Sequence, residues 1–307
     1  MKRTSWSVSR LQFFPMTSSS QAALVALSCL SSTAADQIDP TVYDKLFMSN
    51  RPLFDRMATL VNEALPAGGG KVLDLGSGPG EPSVTLAVMN PNARVVCTDF
   101  QQAMNDKAQA RVKAVGLDNV EFATTSADDL SAWQDGEFDA VMMSLVLMFV
   151  PDRAKALKEV ARVLKPGGFA YTSVWKTLDI YALKHKAIEE VAGKTMPDFK
   201  NNPMKLSADN AVEDLAHGAG LDVVNDELLT YPFKFGTLKI AGDAVTSLAK
   251  EMLKDMEASS DTEASSKFHA IVLRMIAERG WNSGDEVSIP VNTAQVLSLR
   301  KPIKDGL

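Results

Sequence analysis

The run VLDLGSGPGEPS at residues 72–83 leads an apolar stretch into a glycine-rich turn and then into a helix-forming segment. Glycines in such a turn let a ligand approach backbone N–H groups closely, and a helix starting there aims its positive end at the ligand. Dinucleotide- and phosphate-binding folds use the same device, so the spacing decides. It is G-x-G-x-G at Gly76, Gly78 and Gly80, with Glu81 where a dinucleotide fingerprint continues towards its third glycine. The lysine and hydroxyl of a phosphate loop are missing. Asp74, two residues before Gly76, sets a carboxylate at the strand end, and Glu81 adds a second acid close by. That pair repels a pyrophosphate. It attracts a ligand carrying an ammonium and a sulfonium, since each cation gains from a carboxylate in a partly desolvated pocket.

A third acid, Asp99, ends the run RVVCTD at 94–99. About 20 residues beyond a glycine turn, at the end of the next strand, a carboxylate takes both hydroxyls of a ribose. The alternative for Asp99 is a cap for the helix beginning near Gln101.

These acids meet only if their strands lie side by side. KVLDL at 71–75, RVVCTD at 94–99, VEFAT at 120–124, FDAVMMS at 138–144 and FAYTSVW at 169–175 read as strands. Helical segments fall between them: one from about Pro82, one carrying Met104, Ala108, Val112 and Val115, a short one near Asp129, and one with Ala156, Leu157, Val160, Val163 and Leu164 before KPGG. Alternating order of this kind predicts a parallel sheet covered on both faces, with ligands at the carboxyl ends of the strands. Before the core, Leu46 to Leu65 shows helical spacing that ends at Pro66 and the following glycines. After Trp175 the pattern loosens; Ser207 caps a short helix that stops at Gly218, and residues 221–235 read as extended. Two amphipathic helices follow, around Val245–Met256 and Phe268–Ile276, before a last strand at 294–300 placed to pair with 221–235 as a terminal hairpin.

Composition narrows the function. With 307 residues, 46% of them hydrophobic, the chain buries a sizeable core, and a net charge of −6 is the wrong sign for a nucleic-acid partner. Two cysteines, Cys29 and Cys97, make neither a zinc cluster nor a disulfide framework. The longest apolar stretches, 22–30 and 140–150, are about half of the roughly 20 residues a membrane span needs, so no stable membrane insertion is expected. Residues 1–35 carry Lys2, Arg3, Arg10 and nine serines with no acid before Asp36. That composition suits a targeting segment or a disordered tail, giving a cytoplasmic location, or an organellar one (mitochondrion or plastid) if the segment is a transit peptide.

In order and spacing, VLDLGSGPG, VVCTDF, the SADDL segment, FDAVMMSLVLMFVPD and VLKPGG resemble the successive motifs of class I S-adenosylmethionine (SAM) dependent methyltransferases, over roughly residues 68–176. The amphipathic helices and NTAQVLSLRKP are similar to the small-molecule enzymes grouped around ubiquinone and menaquinone biosynthesis. The expected fold is therefore α/β: a Rossmann-like, mostly parallel seven-stranded sheet with an antiparallel last strand and helices on both faces. A helical N-terminal lid (36–67) precedes the cofactor core (68–176), and an acceptor-covering insertion with the end of the sheet follows (177–307).

The resemblance implies residue roles. Asp74 orients the methionyl amino group, directly or through water, while Gly76, Ser77 and Gly78 lie against the methionine moiety. Asp99 holds the ribose and Phe100 flanks the adenine. Ser126, Ala127 and Asp128 face the adenine amino edge; many relatives have an aspartate at the position of Ser126, which leaves that contact to backbone groups or Asp128. Ser144, ending the fourth strand, lies near the methyl or the methionine chain.

An activated methyl needs an aligned nucleophile more than a base. Relatives often have a histidine just after the fourth strand, where this chain reads LVLMFVPD, so no catalytic base is named. Tyr43, Trp175, Tyr181 and His185 are the candidates for the acceptor pocket or its lid, against packing or solvated-helix alternatives; His217 and His269 read as surface residues and Met142, Met143 and Met148 as core filler. The missing base favours a thioether or amine acceptor over an isolated hydroxyl. The acceptor is expected to be a small molecule, with a non-catalytic SAM-binding or assembly factor as the alternative; aminopropyl transfer, macromolecular methylation and nicotinamide chemistry fit the motifs less well.

Overall fold

The computed structural model describes residues 47–197, 202–259 and 261–303. Tyr43 and the segment 1–35 lie outside them. Helix α1 (Arg51–Ala64) starts with a proline in its first turn, where the missing N–H costs nothing, and buries Leu53, Phe54, Met57, Ala58, Leu60 and Val61 along one face. Then come β1 (Lys71–Leu75), α2 (Ser83–Met89), β2 (Arg94–Asp99), α3 (Gln102–Val115), β3 (Val120–Thr124), β4 (Phe138–Ser144), α4 (Arg153–Val163) and β5 (Leu164–Leu178). The C-terminal part adds α5 (Asp179–Ala192), α6 (Ala211–Gly218), β6 (Asp222–Phe235), α7 (Leu238–Ser259), α8 (Ala264–Glu278), the two-residue β7 (Asn282–Ser283) and β8 (Glu286–Arg300).

The strands form one sheet in the order β3-β2-β1-β4-β5-β8-β6, with β7 paired to β8. β1 to β5 are mutually parallel, and β8 runs antiparallel to both β5 and β6. This is the expected architecture, including the antiparallel last strand and its pairing with residues 222–235. The central strands β1, β2 and β4 are covered on both faces, which is why they read as continuous apolar runs, whereas β3 at the edge is half-exposed.

Side chains in register across a sheet share a face. Asp74 is level with Cys97 and Met142, and Met142 with Tyr171; one step towards the carboxyl edge, Ser144 is level with Ser173, Ser173 with Val296 and Val296 with Glu227. Glu227 pairs with Arg56, so α1 covers the face on which Asp74, Ser144 and Ser173 stand.

Several local expectations fail. No helix forms near Asp129; residues 126–133 make turns held by Asp129 N–H to the Ser126 carbonyl and Trp133 N–H to the Leu130 carbonyl. β5 is longer than expected because KPGG stays in the strand. Ser207 caps nothing: α6 follows Asn210, whose φ of 60° is tolerated by that residue type, and the carbonyls of Ser207 and Ala208 accept from the Lys176 ammonium. α5 follows β5 with no proline or glycine between them, which hid the boundary from a reading of the sequence.

Candidate active site

Asp74 closes the core at the carboxyl end of β1 and is fully buried. One of its carboxylate oxygens accepts from the Ser83 hydroxyl at 2.7 Å; the other, equally buried, has no hydrogen-bond partner. Burial pushes its pKa up to about 7, the Ser83 bonds work against the shift, and the charges of Glu81 and Asp99 add to it. A carboxylate left half-satisfied inside a protein is costly unless a donor arrives. The orphaned oxygen fits an ammonium group or a water bridging to one.

The glycine turn is shaped by its backbone. Gly76, Gly78 and Gly80 all have positive φ, at 69°, 55° and 107°. A Cβ on Gly76 would sit 2.6 Å from a methyl of Val146 in the loop after β4, so the two loops touch and only glycine fits; a Cβ on Gly78 would meet nothing within 4 Å. That open side leaves the main chain accessible to a ligand. The Gly78 N–H donates to Asp99 Oδ2 at 3.1 Å, and the Gln101 N–H donates to Oδ1 at 2.9 Å. Asp99 thus ties two loops together and also serves the start of α3. Each oxygen retains a further lone pair for a ligand hydroxyl. Burial raises the Asp99 pKa, and its backbone hydrogen bonds oppose the shift.

Ser77 turns inward: its N–H and hydroxyl both donate to the Thr98 carbonyl, and the hydroxyl lies 2.8 Å from Cys97 Sγ. Its side chain therefore braces β1 against β2, leaving its backbone at the turn. Cys97 is buried, with its thiol pKa pushed up to about 12 by burial, and is inert. Phe100, next to Asp99, is 67% exposed, a flat apolar ring in water at the edge of the site. On the next loop Ser126 donates to Asp128 and Ala127 is buried. At the end of β4, Ser144 Oγ and Ser173 Oγ lie 3.5 Å apart, and Ser173 Oγ accepts from the Leu145 N–H. Leu145 has φ 58°, a strained conformation for leucine of the kind that clusters at functional sites.

The acceptor-side candidates divide. Trp175 is 5% exposed and packs with Tyr231 and Phe233 at centroid distances of 6.1 and 5.8 Å; Tyr231 in turn donates to Asn50 just before α1. Tyr181 and His185 sit together on α5, rings 6.3 Å apart, with His185 facing Glu189 at 3.8 Å. α5, which carries them, follows the carboxyl end of β5 and packs against α7, α8 and β8. Lys184, which the sequence did not single out, places its ammonium 4.6 Å over the Tyr181 ring, and burial lowers its pKa to about 8. His217 is exposed, and His269 is half-buried and faces Asp243 and Thr246. Met142, Met143 and Met148 are wholly buried.

Glu81 differs from its expected part. It is buried, with one oxygen held by the Thr85 hydroxyl and N–H and the other 3.7 Å from both Arg51 and Arg111. Its charge is answered by two guanidiniums and is not free to attract a cationic ligand. Arg51 and Arg111 lie 30 residues either side, too far for local spacing to reveal.

Residues 73–172 match the family model described as a methyltransferase domain. The demethylmenaquinone methyltransferase of Clavibacter sepedonicus is 41% identical over 113 residues, which cover 37% of this chain and 44% of that protein. The chain thus matches less than half the length of this relative. Among solved structures, a candidate methyltransferase from Bacillus halodurans superposes with a TM-score of 0.52 at 19% identity, covering 80% of this chain and 98% of the other. A Haemonchus contortus phosphoethanolamine N-methyltransferase, in complex with phosphomonomethylethanolamine and S-adenosylhomocysteine, gives 0.52 at 17% identity, covering 94% and 62%. At these identities the structural likeness speaks for the fold. Fold order, glycine turn and matched segment together make residues 73–172 resemble a class I methyltransferase domain, similar in sequence to the menaquinone-type methyltransferases.

Proposed function

We propose that the chain transfers a methyl group from SAM to a small-molecule acceptor by direct in-line displacement. The observation that carries this reading is the buried, half-satisfied carboxylate of Asp74 beside a glycine turn whose open side lies at Gly78. The sequence match to a named methyltransferase and the S-adenosylhomocysteine bound in the Haemonchus neighbour support it.

In this reading the orphaned Asp74 oxygen receives the amino group of the methionine moiety, and the backbones of Gly76, Ser77 and Gly78 line it. Asp99 takes the ribose hydroxyls, Phe100 covers one face of the adenine, and the Ser126–Asp128 turn meets its edge. Ser144 and Ser173 form a polar floor at the end of β4 and β5. When bound, SAM supplies an already activated methyl. The protein's work is then to hold the acceptor atom in line at about 3–3.5 Å and to exclude water. α1 covers that face, and the aromatic group of Trp175, Tyr231 and Phe233 adjoins the start of α1. The 3₁₀ turn Leu147–Phe149 after β4 offers no proton acceptor from its side chains, which favours a thioether or amine acceptor.

The test is transfer of isotope-labelled methyl from SAM into the small-molecule fraction of a cell extract, with products identified by mass spectrometry. A labelled metabolite absent from an Asp99→Ala control establishes the reaction and names the acceptor. A wild-type protein that binds no S-adenosylhomocysteine sinks the reading.

A further inference from the structure

Between the N-terminal helix and the glycine turn lies a cluster of charge that the methyl-transfer reading does not use. Glu81 follows Gly80 directly and its side chain is 3% exposed. Thr85 holds one carboxylate oxygen through its hydroxyl at 2.6 Å and its N–H at 3.1 Å, which fixes the direction of the other. That other oxygen faces Arg51 at the start of α1 and Arg111 on α3, each at 3.7 Å. The Arg111 guanidinium also reaches the residues before α1: it lies 5.6 Å from the Phe47 ring centre, and its second terminal nitrogen is 3.9 Å from Met48 Sδ.

Two features leave room for this cluster to tighten. At 3.7 Å the ion pairs are about 1 Å longer than a charge-assisted hydrogen bond. Arg111 Nη1 is buried and has no hydrogen-bond partner, so a guanidinium donor is held near a carboxylate without bonding to it. Small movement of residues 47–51 towards the turn would close the Arg51 gap, and it would carry with it Phe47 and Met48, which pack on the Arg111 guanidinium that must close the other. The turn lies close to α3: Ala108, one helical turn before Arg111, packs beside Gly80 so that a Cβ added there would sit 3.3 Å from the alanine methyl. The same turn donates the Gly78 N–H to Asp99.

We propose that Glu81, Arg111 and Arg51 form an ionic latch in which Glu81 and Arg111 are positioning residues: closing it seats residues 47–51 over the methionine end of the cofactor site and sets the glycine turn. The latch rests on the proposed cofactor reading and adds to it a link between lid and turn. In this latch, ligand binding and closure favour one another, and by linkage each does so to the same extent.

Calorimetric titration of S-adenosylhomocysteine into the intact chain, paired with hydrogen exchange of residues 47–51 with and without that ligand, tests it. In the wild type the ligand slows exchange at 47–51. Arg111→Met weakens binding by about tenfold, the worth of one charged hydrogen bond, and abolishes the ligand-dependent slowing, while Arg111→Lys restores part of both. Combining Arg111→Met with Glu81→Gln weakens binding by less than the product of the two single effects. Variants that lose thermal stability but keep wild-type affinity and ligand-dependent slowing overturn the latch, as does a wild type that binds the ligand with exchange at 47–51 unchanged. Should Arg111→Met not fold, Arg51→Met carries the same test on a side chain 36% exposed. A wild type that binds no S-adenosylhomocysteine removes the cofactor reading and the latch with it.

Discussion

The Ser83 hydroxyl occupies one carboxylate oxygen of Asp74 and leaves its twin buried and unbonded. On the proposed reading, this asymmetry would make Asp74 a pH-dependent receptor. Burial raises its pKa from 3.8 to about 7, so the folded chain without ligand holds a proton that the unfolded chain has lost. The stability Asp74 contributes is therefore full below about pH 4 and is lost as pH rises through about 7. An ammonium ligand prefers the ionised form. Affinity for S-adenosylhomocysteine should rise between about pH 6 and 8, with proton release on binding near neutrality. Calorimetry in two buffers of different ionisation enthalpy reads that release directly; Asp74→Asn should flatten the pH dependence and weaken binding by about 1.5–3 kcal/mol. Identical heats in the two buffers at pH 7 would exclude Asp74 as the receptor.

Two glycines two residues apart should fail differently. Gly76→Ala puts a methyl 2.6 Å from Val146 at φ 69°, combining left-handed strain with a clash in a close-packed loop. It should cost about 2–5 kcal/mol of stability. Gly78→Ala meets no protein atom within 4 Å. At φ 55° it should cost about 1–2 kcal/mol and leave the fold intact, while its methyl obstructs the open side of the turn. Thermal melts with ligand titration separate the two. Equal loss of ligand affinity per unit of lost stability in both variants would contradict a ligand at Gly78.

What the sequence revealed and what it hid follow from range. Asp74, Gly76, Gly78, Gly80 and Asp99 were legible because a strand, a turn and a helix start are local, and residue type records the backbone geometry there. The parallel sheet was legible because buried parallel strands leave unbroken apolar runs, whereas the order of the strands in it was not read from the sequence. Glu81 was misread: its proximity to Asp74 is local, but its partners Arg51 and Arg111 come from helices on either side. Ser173 was overlooked, since its link to Leu145 crosses from β5 to the end of β4 and its residue type is ordinary in a strand. Trp175 was legible as a residue at the end of a strand, but its packing against Tyr231 and Phe233 was not, because those partners come from β6, far along the chain. The absent helix near Asp129 is a case of turns built by short polar side chains, which helical periodicity cannot report.

Arg56 fastens α1 to the edge strand β6 through two hydrogen bonds to Glu227, at 2.5 and 2.7 Å. The Arg56 hydrogen bond holds the Glu227 pKa below its usual 4.5, so its contribution is present above that value and is lost as pH falls through the lowered one. The side chains are 35% and 28% exposed, which discounts the pair for solvent screening. A double-mutant cycle with Arg56→Met and Glu227→Gln should give a coupling of about 1 kcal/mol at pH 7 that shrinks below pH 4 and in high salt. A coupling unchanged at pH 3 would mean that the pair acts through packing of the arginine stem.

Asp99 should distinguish a ribose from a deoxyribose. Its two oxygens each hold one backbone N–H, from Gly78 and Gln101, and each keeps acceptor capacity. A ligand diol would complete them, and a 2′-deoxy ligand would leave one lone pair of a largely buried carboxylate unmet. Wild-type protein should therefore bind adenosine about tenfold or more tightly than 2′-deoxyadenosine, the worth of one charged hydrogen bond. Asp99→Ala removes the acceptor and both loop ties, lowering stability by about 1–3 kcal/mol and erasing the preference. Asp99→Asn is the sharper probe. It keeps the size of the side chain but must turn its amide N–H₂ towards one of the two backbone donors, so the preference should drop while most of the stability remains. Competitive displacement of S-adenosylhomocysteine by the two nucleosides measures this. Equal displacement by both with the wild-type protein would leave Asp99 as a tie between the glycine turn and α3, and would move recognition of the sugar elsewhere.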